Sequence, residues 1–158
     1  MNVSELPARK RVLGLDYGSK RIGVAISDPL RIIARALCVL KNSPAILDEL
    51  RSVVQEHDIG EIVVGMPLTL KGEKGAKALE VSEFTAMIRD GLGLPVHDLD
   101  ERFTSRVAQE TIRMMGVKKS KRQSKEAVDA SAAALILQQF LDRRASRNVN
   151  YPEATEET

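Results

Sequence analysis

The chain is poor in the residues that disulfides and soft metal sites need. It has one cysteine, Cys38, and two histidines in 158 residues. A single cysteine excludes an internal disulfide and any cysteine zinc site. Tryptophan is absent, and two tyrosines and three phenylalanines make up the aromatic set. Most of these rings are therefore expected in the core, although Tyr17 and Phe103 could stack on bases. No run approaches the roughly 18 apolar residues of a membrane span. The opening stretch, Met1 to Pro7, lacks the charged and apolar regions of a secretory signal. These absences lead to the expectation of a cytoplasmic protein with no membrane partner. The spacing Gly-x-x-x-x-Gly-Lys-Ser/Thr of a phosphate-cradling loop is also missing.

The charge that is present is uneven. The net value is only +2. Arg9, Lys10 and Arg11 open the chain, Lys20 and Arg21 follow, and Lys118, Lys119, Lys121, Arg122 and Lys125 crowd one short stretch. Glu153, Glu156 and Glu157 offset that total from the far end without covering it. A concentrated basic surface is the electrostatic footprint of a polyanion partner.

Periodicity gives an order of elements. Arg11–Tyr17 reads as a strand apolar on both faces, as at the centre of a covered sheet. Tyr17 to Arg21 is short enough for a hairpin turn into Ile22–Ser27. Ile33–Val39 makes a third strand. Ser43-Pro44 signals a helix start. Glu61–Met66 is a buried strand stopped by Pro67, and a glycine- and lysine-rich loop runs on to Gly75, expected near substrate. A helix follows to about Asp90, ended by Gly91 and Gly93. Pro95–Asp100 is a fifth strand, Thr104–Met115 a helix, and Ser124–Arg143 a last long helix. The order β-β-β-α-β-α-β-α-α predicts an α/β fold: a mixed five-stranded sheet, three strands antiparallel and two parallel, with helices on its faces. One domain is expected over residues 1–143, with a disordered acidic tail over 144–158.

Three positions carry the chemistry. Asp16 ends the first strand, where burying a carboxylate is costly unless a cation meets it. Asp129 lies in the last helix on the face of Ala132, Ala133, Ile136 and Phe140, and helices seldom point a lone acid at the sheet they cover. The plainer alternative is a first-turn acid at the rim of that stripe. Asp98, Asp100 and Glu101 cluster at the end of the fifth strand, an edge where open α/β sheets place ligands. If the first and fifth strands are both central and parallel, these acids meet. Acids from two strand ends and a helix suit two magnesium or manganese ions about 3.5–4 Å apart, which would activate water and stabilise the leaving oxygen of a phosphodiester. The basic stretch before Asp129 would track a nucleic-acid backbone. Lys20 and Arg21 either approach a phosphate or simply close the hairpin. Arg102 pairs with an acid or touches phosphate. His57 and His97 read as structural.

The segments Gly14-Leu-Asp-Tyr-Gly-Ser-Lys-Arg-Ile-Gly-Val-Ala, Val64-Gly-Met-Pro-Leu, Asp100-Glu-Arg-Phe-Thr-Ser and Lys125-Glu-Ala-Val-Asp-Ala-Ser-Ala-Ala occur in this order. Together they resemble the YqgF (RuvX-type) family, pre-16S rRNA nucleases and Holliday junction resolvase-like proteins of RNase H-like fold. The resemblance covers about residues 10–143. Met66 and Phe103 depart from the usual leucines, away from the acids. It implies a metal-dependent nuclease whose catalytic and metal-binding acids are Asp16, Glu101 and Asp129. It also implies 5′-end maturation of pre-16S rRNA, with structured precursor RNA and the ribosomal particle as partners. A DNA junction resolvase and a non-catalytic nucleic-acid-binding factor on the same fold are the alternatives. An ATPase domain of the actin type shares the Asp-x-Gly hairpin but needs two lobes and a far longer chain.

Overall fold

The computed structural model describes residues 10–67, 75–100 and 125–149. Its central strand is β1 (Arg11–Tyr17), in which Val12, Leu13, Gly14 and Leu15 are all buried. A strand apolar on both faces is stable only where both faces are covered. β2 (Arg21–Ser27) returns antiparallel to β1, and β3 (Ala34–Lys41) pairs antiparallel with β2. Helix α1 (Ile46–His57) leads to β4 (Ile59–Met66), which lies parallel to β1. Helix α2 (Ala76–Leu92) leads to β5 (Val96–Asp100), parallel to β4. The sheet order is β3-β2-β1-β4-β5. Among the described residues the chain closes with helix α3 (Lys125–Val149). The expected mixed sheet is therefore present. One detail differs: β5 is an edge strand, separated from β1 by β4.

The two sheet faces carry separate cores. Leu13, Leu15, Ile22, Val24, Ile62 and Val64 pack with residues of α1 and α2. Val12, Ala25, Val63 and Leu99 pack with Ala133, Ile136, Leu137 and Leu141 of α3. The second face is built from smaller residues, and α3 comes very close to it. A Cβ on Gly14 would lie 2.7 Å from the Leu137 Cβ, and one on Gly23 would overlap the Asp129 carbonyl. Close packing of this kind fixes a helix in position because no slack remains.

Several element ends differ from expectation for identifiable reasons. Ser43 opens a turn rather than the helix: its carbonyl accepts from the Ile46 N–H at 3.0 Å and its Oγ from the Ala45 N–H at 3.2 Å. Gly91 lies inside α2, where a Cβ would press on Leu47 of α1, and Gly93 ends the helix with φ 68°. Helix α3 continues past Arg143 to Val149, into the expected tail. Arg144 explains part of this, because it pairs with Glu61 and covers the Phe140 ring at 4.5 Å. Such tertiary contacts leave no mark in composition. The predicted helix Thr104–Met115 and residues 150–158 lie outside the described residues, as do 68–74 of the glycine-rich loop. Among the described residues no helix is long and apolar enough to cross a membrane.

Candidate active site

Asp16 is the sixth residue of β1 and stands opposite Gly23 of β2 in the strand register. Strand alternation gives it the face of Val12, which is the α3 face. The glycine opposite it lets the helix backbone settle onto the sheet at Asp129. The two acids that the sequence singled out are thereby brought to one cleft of about 290 Å³, lined by Asp16, Lys20, Arg21, Lys77 and Asp129 together with residues of the β1–β2 turn.

The turn is held from β3. The Asn42 side chain donates to the Gly18 carbonyl at 2.9 Å, and the Asn42 backbone N–H donates to the Lys20 carbonyl at 2.9 Å. A Cβ on Gly18 would sit 2.5 Å from the Arg21 carbonyl, so only glycine fits this tight turn. Lys20 and Arg21 consequently sit in the cleft wall. Arg21 also has a partner there: its Nε donates to the Asp129 Oδ2 at 2.9 Å. Asp129 thus combines both sequence readings, as an acid at the rim of the helix stripe that is also turned toward the cleft.

Burial pushes the Asp16 carboxyl up to about 6, with the Lys77 ammonium pulling it back and the Asp129 carboxylate pushing it further up. Such a group favours the arrival of a cation. The oxygen-only donor set of Asp16 and Asp129 fits a hard divalent ion such as magnesium or manganese. Among the described residues no cluster of three or more metal-ligating side chains forms. Glu101 lies outside them, as do Arg102, Lys118, Lys119, Lys121 and Arg122. Lys125 is the first residue of α3. Asp100 ends β5 and pairs in register with Met66, which belongs to the core on the α1 and α2 face.

Lys77 was missed in the sequence. It lies in the first turn of α2, directly after the glycine-rich loop. The available signal was a cation just beyond the carboxyl end of a central parallel strand. His97 is structural as expected: its Nε2 lies 2.8 Å from Glu61 Oε2, at the opposite end of the sheet from Asp16.

A β3-β2-β1-β4-β5 mixed sheet with a long helix over the face of its central strand is the RNase H-like fold. A family model described as "RuvX: Holliday junction resolvase" matches residues 10–143. The chain belongs to that family, whose members are hydrolases acting on nucleic acid. A relative from Koribacter versatilis (strain Ellin345), named "Putative pre-16S rRNA nuclease", is 47% identical over 136 residues, covering 85% of this chain and 88% of that protein. A protein of the same name from Sulfurihydrogenibium sp. (strain YO3AOP1) is 38% identical over 140 residues, covering 87% and 94%. Among solved structures, Thermus thermophilus RuvC in complex with a Holliday junction substrate matches with a TM-score of 0.57 at 19% identity, over 87% of this chain and 97% of that one. That last likeness concerns the fold.

Proposed function

We propose that this protein is a divalent-metal-dependent nuclease that cleaves precursor 16S ribosomal RNA during maturation of its 5′ end, in the cytoplasm. The observation that carries the reading is the cleft itself: Asp16 and Asp129 share it with three cations, Lys20, Arg21 and Lys77. Two carboxylates suit a metal, and the excess of positive charge suits a phosphodiester. The relatives' printed name supports ribosomal RNA as the substrate.

In this reading Asp16, Asp129 and Glu101 hold two magnesium or manganese ions. Asp100 pairs in register with Met66, on the α1 and α2 side of the sheet and away from Asp16, which favours Glu101 over Asp100 as the third acid. When bound, the ions supply an activated water and charge stabilisation at the leaving oxygen. Lys77 and Lys20 neutralise the non-bridging oxygens of the scissile phosphate. Arg21 holds Asp129 until substrate enters, then shares its guanidinium with the phosphate. Arg102 and the basic stretch Lys118, Lys119, Lys121, Arg122 and Lys125 track the flanking backbone. Their contribution is ionic and therefore weakens with salt.

The test is cleavage of structured RNA, single-stranded RNA, duplex DNA and a four-way DNA junction with Mg²⁺, Mn²⁺ or EDTA, by the wild type and Asp16→Asn. Metal-dependent RNA cleavage that disappears in the variant is the expected outcome. Wild-type cleavage by Asp16→Asn would overturn the mechanism. Symmetric junction cutting without RNA cleavage would move the substrate to DNA, the activity named in the family description. Binding of RNA without cleavage in any metal, also on precursor ribosomal particles, would make the protein a non-catalytic factor.

A further inference from the structure

The strand that carries Asp16 toward α3 carries its neighbour, Tyr17, toward α2. Tyr17 is partly buried against the core on that side, with its ring 5.0 Å from the Phe84 ring at a tilt of 50°. Beside this ring pair lies a second cavity, of about 360 Å³. Its wall includes Tyr17, Phe84 and Met87, and its rim includes Glu80, Glu83 and Asn42. A volume of this size is at the lower end of small-molecule sites. Tyr17 lines both this cavity and the catalytic cleft, so the two adjoin across the end of β1. Tyr17 is thus the wall the two cavities share, and a strand of RNA that crosses the end of β1 meets both.

The chemistry of the two cavities is opposite. The cleft is lined by Lys20, Arg21 and Lys77. No lysine or arginine is among the described residues that line the second cavity. Its polar side chains offer mainly acceptors: two carboxylates and the Asn42 Oδ1, beside the Ser43 hydroxyl and an Asn42 amide already engaged through one hydrogen with the Gly18 carbonyl at 2.9 Å. The Tyr17 hydroxyl lies 3.5 Å from Glu80 Oε1 and points its donor there. Such a site repels phosphate and accepts a flat group that brings its own donors. Helix α2 serves both sides, with Lys77 in the cleft and Glu80, Glu83, Phe84 and Met87 at the second cavity.

We infer that this cavity is a base-recognition subsite that seats a guanine from the nucleotide next to the scissile phosphate. The inference rests on the nuclease reading above. Guanine has two adjacent donors on one edge, N1–H and N2–H, which match the two oxygens of one carboxylate. Adenine and cytosine each bring one amino group beside an acceptor. Uracil brings carbonyls on both sides of a single N–H and would meet the carboxylates with like partial charge. The ring stacks on the Tyr17–Phe84 side and Met87 closes over its edge.

The experiment is fluorescence anisotropy in EDTA, where no metal-dependent cleavage proceeds. The probes are fluorescein-labelled RNA hexamers of uridine, with one guanosine moved through each position. One guanosine position is expected to tighten binding about tenfold over the all-uridine probe. That advantage should fall to within about twofold in the double variant Glu80→Gln/Glu83→Gln: the all-uridine probe should bind somewhat more tightly once the like charge is gone, whereas the best guanosine probe should bind more weakly than to the wild type. Both glutamates are exposed, and a thermal melt confirms that the variant folds. Lys77→Ala should weaken every probe alike and keep the guanosine preference. Equal binding of all probes by the wild type would overturn the subsite and leave the nuclease reading standing. A preference that persists in the double variant would also overturn it. Failure of every probe to bind would count against both.

Discussion

Helix α3 joins two acids in opposite electrostatic states. At its first turns, Asp129 comes to Asp16, whose carboxyl is pushed up to about 6 by burial. Near its other end, Arg144 meets Glu61, whose carboxyl is held down at about 2, chiefly by the Arg144 guanidinium and further by His97 and Arg31. Glu61 lies level with Val12, and Asp16 lies four residues further along β1, about 13 Å by strand rise. Both acids use the face that α3 covers. Glu61 has three partners crowded on one carboxylate, two of them guanidinium groups: Arg31 at 2.6 Å, Arg144 at 2.7 Å and the His97 ring at 2.8 Å. Among the described residues, the charges that act on Asp16 are the more distant Lys77 and the like charge of Asp129. One end of the helix is saturated and pins the layers together, while at the other the cations line the cleft and, among the described residues, none is in ion-pair contact with Asp16. The contrast separates an acid used for structure from one suited to binding a cation.

Three changes would break or sharpen this contrast. The largest effect is expected for Gly23→Val. The new side chain collides with backbone at Asp129, so the helix start must move. Stability should fall by about 3 kcal/mol, and RNA cleavage should be lost. Gly14→Ala presses on the Leu137 Cβ at 2.7 Å and the Ala133 carbonyl at 3.1 Å, less closely than a Cβ on Gly23 meets Asp129, and should cost less in stability, about 1 kcal/mol, with cleavage largely kept. Parallel melts and cleavage rates for the pair check this. Loss of cleavage in Gly14→Ala with retention in Gly23→Val would refute the proposed seating of Asp129.

The second change is Asp16→Asn, studied by melting in EDTA across pH. The folded protein holds the Asp16 proton up to about pH 6, whereas the unfolded chain releases it near the ordinary value of 3.8. Stability therefore falls as pH rises through that window, by about 3 kcal/mol in all. The variant should be more stable than the wild type above pH 6 and equal to it below pH 4. A variant that is less stable at pH 7 would mean that the charged acid is already compensated. Adding Mg²⁺ should raise the melting temperature of the wild type and leave the variant unchanged.

The smallest effect is at the pinned end. Glu61→Gln leaves two guanidinium groups short of charge and should cost about 1–2 kcal/mol at pH 7. The direction with pH is opposite to that of Asp16. The Glu61 contribution is present above its ordinary value of 4.5 and is lost as pH falls through about 2. The difference between wild type and variant should therefore close on acidification. A constant difference from pH 7 to pH 2 would place the cost in packing instead.

The sequence was informative where local pattern and tertiary role coincide. β1 was legible to the residue, because a strand apolar on both faces with one terminal acid has few alternatives. The face of α3 that Asp129 shares, on which lies the cleft it lines with Asp16, was legible from helix periodicity. The edge position of β5 was not, because strand order depends on crossovers that leave no local signal. Lys77 went unread because a lysine after a lysine-rich loop looks like more of the same loop. The full length of α3 was hidden because its last turns are held by Glu61, 83 residues away in sequence from Arg144. Gly23 could be seen as a glycine in a strand, a mark of close backbone approach, but the approaching backbone could not be named.

Asp16 and Tyr17 are consecutive residues of one strand that serve opposite sides of the sheet. A deletion of one residue anywhere in β1 ahead of them would exchange their sides, sending the acid into the apolar layer under α2 and the ring into the cleft. Substitutions in β1 can be absorbed one at a time, but a change in its length cannot. The turn after Tyr17 is fixed in length as well, because Asn42 holds it at Gly18 and Lys20. The spacing between Arg11 and Tyr17 works as a fixed gauge, and it sets the sidedness of the chemistry as firmly as the identity of the acid does.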